Sequence, residues 1–199
     1  MTTDRLAPPV FDPADAAAAA ARFAAAAPAD VSYAIVDSPV GALIAAATPR
    51  GLATLAYEDH HGGVDAVLDA LARRLSPRIL EAPAKLDPVR RELDEYFAGA
   101  RTAFDLPLDW ALAGDFARRV LQATAAIPFG QVRTYGEVAA RAGNPKAARA
   151  AGRALGSNPI PIVVPCHRVV GAGGRLVGYT GGLHRKEALL RVEGVLAGP

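Results

Sequence analysis

The chain has 199 residues, 51% hydrophobic and 21% charged, enough for one sizeable core or two small ones. It has no apolar run near the roughly 18 residues of a membrane span, and Met1–Pro9 lacks the basic start of a secretory signal, so a cytoplasmic protein without a membrane partner is expected. The net charge of +2 hides a split: residues 1–114 carry 10 Lys+Arg against 16 Asp+Glu, and residues 115–199 carry 12 against 4. The basic C-terminal part suits a polyanionic partner or merely a solubilised surface.

Residues 1–30 read as an alanine-rich tail with little apolar bulk to anchor a helix. Three short strands are expected at 33–37, 42–48 and 52–58, punctuated by Pro39-Val40-Gly41 and Pro49-Arg50-Gly51. Val64, Val67, Leu68, Leu71 and Leu75 follow helical spacing, and Asp87-Pro88 reads as the opening of a second helix that ends at Gly99. Strands followed by helices imply a small α+β domain over 31–105 with a short antiparallel sheet. No catalytic cluster stands out in it. His60-His61 lacks further ligands at metal-binding spacing and reads as a loop pair.

A connector at 106–114 leads to a mostly helical domain over 115–199. Asp115 is expected to cap a helix stopped by Pro128, and Thr134-Tyr135-Gly136-Glu137 is a capping box that starts a helix at Tyr135. Asn144-Pro145 is expected to restart a helix running to Gly156, which makes a helix-turn-helix. Lys146, Arg149 and Arg153 would then share one face among small residues. That face fits DNA about as well as it fits tight packing inside a protein. A terminal helix is expected from Leu183 to Val192.

The lone cysteine cannot form an internal disulfide, which suits a reducing compartment. It sits in Asn158-Pro159-Ile160-Pro161-Ile162-Val163-Val164-Pro165-Cys166-His167-Arg168, where three prolines exclude a continuous helix. A thiol is mostly protonated at neutral pH, and His167 is placed to accept its proton directly or through water, with a carboxylate to orient the ring. An extended segment would turn the two side chains to opposite faces. Taken alone, a buried cysteine is ordinarily an inert small hydrophobe. The glycine-rich stretch 171–182, with Tyr179 as a flat face, suits either a close-fitting ligand wall or an ordinary surface loop.

With these motifs in place, the sequence closely resembles the O6-alkylguanine-DNA alkyltransferases, also called methylated-DNA–protein-cysteine methyltransferases. Pro165-Cys166-His167-Arg168-Val169-Val170, with Asn158-Pro159 upstream, carries the resemblance, which extends from Ile127-Pro128-Phe129-Gly130 to Glu193-Gly194. The N-terminal part resembles the family's variable domain only loosely. The resemblance implies single, irreversible transfer of an alkyl group from O6-alkylguanine in duplex DNA to Cys166 after base flipping, by a monomer without a cofactor. It leaves O4-alkylthymine open. It also implies that His167 is the base, Glu193 its orienting carboxylate and Asn158 the brace of the turn. Tyr135 would help rotate the nucleotide and Arg149 would fill the vacated stack, with Lys146 and Arg153 beside it. The Cys166 and Val169 carbonyls and the Tyr179-Thr180 loop would line the base pocket. Some relatives hold zinc through N-terminal cysteines, and none exists here, so no metal is expected. Thr180 stands where serine is common. A cysteine-free damage sensor, a cysteine hydrolase and a helix-turn-helix regulator are the competing readings. Each leaves Cys166 or the basic helix unexplained.

Overall fold

The computed structural model describes residues 29–60 and 62–197; the alanine-rich stretch up to residue 28 and His61 lie outside the described residues. Strands β1 (Val31–Val36), β2 (Leu43–Thr48) and β3 (Gly51–Tyr57) form an antiparallel meander within a residue or two of expectation. The sheet is mixed rather than purely antiparallel: β4 (Ile79–Glu81) pairs parallel to β1, giving the order β3-β2-β1-β4. Three residues are too few for a legible alternation, so β4 has no signature of its own.

Side chains alternate across the sheet, and both faces are covered. Ile44, Ala46 and Ala56 pack with Val67 and Leu71 of α1 (Gly63–Arg74). Leu43, Ala45, Leu55 and Tyr57 point the other way, to Leu86, Val89, Leu93 and Tyr96 of α2 (Pro83–Phe97) and on to the C-terminal half. Helix α2 opens at Pro83, not at Asp87-Pro88. Pro83 takes the first turn, where its missing N–H is no loss, and Pro88 is tolerated inside the helix for one forfeited bond.

The connector is pinned along the edge of β3. Leu52 N donates to Pro107 O at 2.8 Å, Asp109 N donates to Leu52 O at 2.8 Å, and buried Asp109 accepts from Thr48 Oγ1 at 2.6 Å. The approach requires glycine at position 51, where φ is +133° and a Cβ would lie 2.2 Å from the Pro107 carbonyl oxygen.

Beyond it, α3 (Asp115–Ala125) packs on α4 (Tyr135–Arg141) and α5 (Ala148–Gly156). Gly114 is the N-cap of α3, and Asp115 is its first helical residue, paired with Arg118 at 3.0 Å. The capping box at Thr134 and Glu137 forms as expected. Helix α5 begins at Ala148 rather than at Asn144-Pro145. The Asn144 side chain takes the amide of Lys146 at 3.2 Å and its carbonyl takes that of Ala147 at 3.0 Å, so the chain turns before it coils. Lys146 therefore lies in the turn, while Arg149 and Arg153 share the helix face. A two-residue parallel pairing of β5 (Arg133–Thr134) with β6 (Val169–Val170) ties the entrance of α4 to the cysteine segment, and α6 (Leu183–Val192) closes the chain as expected.

Candidate active site

Cys166 opens a single 3-10 turn, Cys166–Arg168, rather than continuing an extended strand. The preceding prolines bend the chain, and Ile162 adopts φ +73°, a costly conformation for a β-branched residue that full burial holds in place. Asn158 organises this bend from within. Its Oδ1 accepts from Ile160 N at 3.0 Å, and its Nδ2 donates to Val164 O at 2.9 Å and to Cys166 Sγ at 3.2 Å. Burial pushes the thiol up to about 11, against the Asn158 hydrogen bond and the charge of Lys186. Burial thus favours the protonated thiol over the thiolate at neutral pH.

His167 is fully buried, with Nε2 2.7 Å from Glu193 Oε1. A carboxylate only accepts, so Nε2 carries the proton and Nδ1 keeps a free lone pair. Nδ1 is buried and has no protein hydrogen-bond partner among the described residues. Burial lowers the imidazole pKa, which keeps the ring neutral and able to take a proton.

Glu193 follows α6 as its C-cap residue, at the helix end where an anion is disfavoured. It is held there by several donors. Arg168 Nε reaches Oε2 at 2.8 Å and Arg168 Nη2 reaches Oε1 at 2.9 Å, while Tyr96 Oη adds a bond at 2.8 Å and Gly130 N one at 3.3 Å. Burial opposes the charge, but the His167 and Arg168 hydrogen bonds outweigh it and hold the carboxyl at about 2. Arg168 also donates to the Ile127 carbonyl.

A cavity of about 350 Å³ opens on Cys166, within the size range of small-molecule pockets. Tyr135, Gly152, Gly178, Tyr179 and Thr180 line it, with His60 reaching it from the N-terminal half. The Tyr135 ring lies against Gly152 of α5 and its hydroxyl donates to Val177 O at 3.3 Å. Thr180 Oγ1 donates to Gly156 O at 2.9 Å, so this hydroxyl anchors the loop to the end of α5. The Val169 carbonyl already accepts from Lys186 Nζ, which also donates to Val177 O at 3.0 Å. Lys186 is fully buried, and burial lowers it to about 8.

Cys166, His167, Asn158 and Glu193 thus converge, and Tyr135, Tyr179 and Thr180 surround the thiol. Lys146, Arg149 and Arg153 are exposed on the helix-turn-helix and make no ion pair among the described residues. Sequence reasoning missed Arg168 as the counter-ion of Glu193, although it lies in the hallmark segment. It also missed Lys186, Tyr96 and Tyr57. A tyrosine on an otherwise aliphatic helix face, as in α2, is the available sign that a buried hydroxyl has a partner.

Comparison with known proteins agrees with this arrangement. Residues 31–110 match the model of the 6-O-methylguanine DNA methyltransferase ribonuclease-like domain, and residues 115–195 match that family's DNA-binding domain. The methylated-DNA–protein-cysteine methyltransferase of Mycobacterium tuberculosis H37Rv is 44% identical over 167 residues, covering 82% of this chain and 92% of the relative. Its counterpart in Methanosarcina acetivorans is 42% identical over 163 residues, covering 81% and 97%. The crystal structure of M. tuberculosis O6-methylguanine methyltransferase superposes with a TM-score of 0.71 at 40% identity, covering 84% of this chain and 95% of that one. That of M. tuberculosis OGT in complex with DNA gives 0.69 at 41% identity, covering 81% and 92%. The chain belongs to the 6-O-methylguanine DNA methyltransferase family.

Proposed function

We propose that this chain repairs DNA by direct reversal, moving an alkyl group from O6 of guanine in duplex DNA to Cys166. The observation that carries the reading is Cys166 opening on a base-sized cavity beside the helix-turn-helix, held from behind by Asn158 and followed in sequence by the buried His167–Glu193–Arg168 contacts. The exposed Arg149 and Arg153, with Lys146 in the preceding turn, supply phosphate contacts. The target base leaves the stack at a cost of about a few kcal/mol, less when damage has weakened its pairing. Tyr135 turns the nucleotide and Arg149 occupies the gap. The extruded base lies between the Tyr179-Thr180 loop and the carbonyls of Cys166 and Val169.

His167 Nδ1 takes the thiol proton, directly or through water, and Glu193 stabilises the imidazolium that results. The sulfur attacks the alkyl carbon, an S–C bond forms, and the C–O6 bond breaks with its electron pair passing to guanine. Donors at O6 and N3 stabilise the leaving base, which takes up a proton. The thioether has no neighbouring group able to cleave it, so each chain acts once. The reaction needs no cofactor. The protein acts as a monomer in the cytoplasm, with residues 31–105 as a supporting domain, 106–114 as connector and 115–199 as the DNA-binding alkyltransferase domain.

The test is peptide mass spectrometry after mixing the chain with duplex DNA containing O6-methylguanine. One added methyl on the peptide bearing Cys166, and none in Cys166→Ser, is the expected result. Methylation elsewhere, or in the serine variant, contradicts the assignment.

A further inference from the structure

The cavity is walled mainly by the C-terminal half, yet its two sides are joined by one strand of the N-terminal sheet. Leu55 N of β3 donates to Pro159 O at 2.8 Å, next to Asn158, whose amide touches Cys166. Two residues along, on the same face of the strand, the Tyr57 hydroxyl lies 2.8 Å from the Tyr179 hydroxyl. The strand therefore holds the cysteine corner at one point and the tyrosine wall at another.

Tyr57 is itself fixed. It is 1% exposed, and the guanidinium of Arg185 lies 4.3 Å from its ring centroid. Arg185 donates to Val40 O at 2.7 Å, Gly181 O at 3.1 Å and Asp59 at 2.7 Å, binding β3 to the loop that follows Tyr179. A Cβ on Gly181 would meet the Tyr57 ring at 2.4 Å, so the loop backbone rests directly against the ring. The two tyrosine rings meet edge to face, with centroids 6.2 Å apart.

We propose that Tyr57 is a specificity-determining positioning residue: the Tyr57–Tyr179 hydroxyl pair sets the width of the base pocket and so favours small alkyl groups over bulky ones. This rests on reading the cavity as the alkylguanine pocket. Tyr57 is not among the residues that line the cavity at Cys166. It acts by holding Tyr179, and it makes the N-terminal half a determinant of which adducts are accepted.

The test compares single-turnover transfer from O6-methylguanine and O6-benzylguanine, each in duplex DNA, for wild type, Tyr57→Phe, Tyr179→Phe and the double variant. Phenylalanine keeps the ring and removes only the strut. The benzyl-to-methyl rate ratio is expected to rise about fivefold in Tyr57→Phe, as the methyl reaction loses alignment and the wall yields to the larger group. Tyr179→Phe removes the same bond from the other side and should shift the ratio equally, which keeps the test available if one variant folds poorly. The double variant should do no more than either single one. An unchanged ratio, an equal loss on both adducts with a lowered Tm, or additive effects in the double variant would overturn the proposal. A wild-type chain that transfers neither adduct would overturn the alkyltransferase reading itself, and the strut with it.

Discussion

Tyr96 and Glu193 are 97 residues apart in sequence, and the hydroxyl of the first donates to the carboxylate of the second at 2.8 Å. The bond crosses from α2, in the N-terminal half, to the end of the last helix. The carboxylate that orients His167 therefore depends on both halves. Removing this hydroxyl in Tyr96→Phe should cost about 1.5–3 kcal/mol of stability, as for hydrogen bonds to charged groups. Urea unfolding measures it. A variant as stable as wild type would show that Arg168 and His167 satisfy Glu193 without it.

Acid should destabilise the protein through Glu193. Its folded pKa, about 2, lies below the ordinary 4.5, so its contribution is complete above the unfolded value and is lost as pH falls through the folded one. Stability plotted against pH should fall between roughly pH 5 and 2 more steeply in wild type than in Glu193→Gln. Equal slopes would mean that Glu193 is not held as an ion.

The transfer rate should report the His167 base. With burial holding the thiol up to about 11, little thiolate exists at pH 7 unless Nδ1 accepts the proton. In His167→Gln the single-turnover rate at pH 7 should drop by about 10²-fold, and it should then climb tenfold per pH unit. Stopped-flow quench from pH 6 to 9.5 checks both. A flat profile in the variant would assign the proton to another acceptor.

Much of the site was legible because its chemistry is local. Asn158, Cys166 and His167 lie within one short segment, and the Thr134 capping box marks the start of α4 without tertiary help. The turn residues Pro39-Val40-Gly41 and Pro49-Arg50-Gly51 likewise mark the limits of the first three strands. The features that were hidden depend on distance or on competition. Tyr57, Tyr96 and Lys186 acquire roles only through partners that the fold brings in. The start of α5 was misplaced because the Asn144 side chain captures the Lys146 amide before the helix forms. Pro88 suggested a helix opening because its fit inside α2 depends on the turn before it.

Arg149 and Lys146 should behave differently. Arg149, exposed on α5, is proposed to replace the extruded nucleotide, whereas Lys146, exposed in the turn, is proposed to contact only phosphate. Arg149→Ala should slow transfer from duplex DNA at saturating protein and spare transfer from the free base, leaving part of the unstacking cost of about a few kcal/mol uncompensated. Lys146→Ala should weaken binding in a salt-dependent way with the saturated rate unchanged. Equal, purely salt-like losses in both would remove the stacking role from Arg149.

The most direct measurement is a titration of the protein with excess duplex DNA carrying radiolabelled O6-methylguanine, followed until label transfer stops. A thioether on Cys166 that no neighbouring group can cleave requires a plateau at about one methyl per chain, with the spent protein inert toward fresh DNA. Label that keeps accumulating beyond one equivalent, or is released to solvent while repair continues, would contradict irreversible transfer to Cys166.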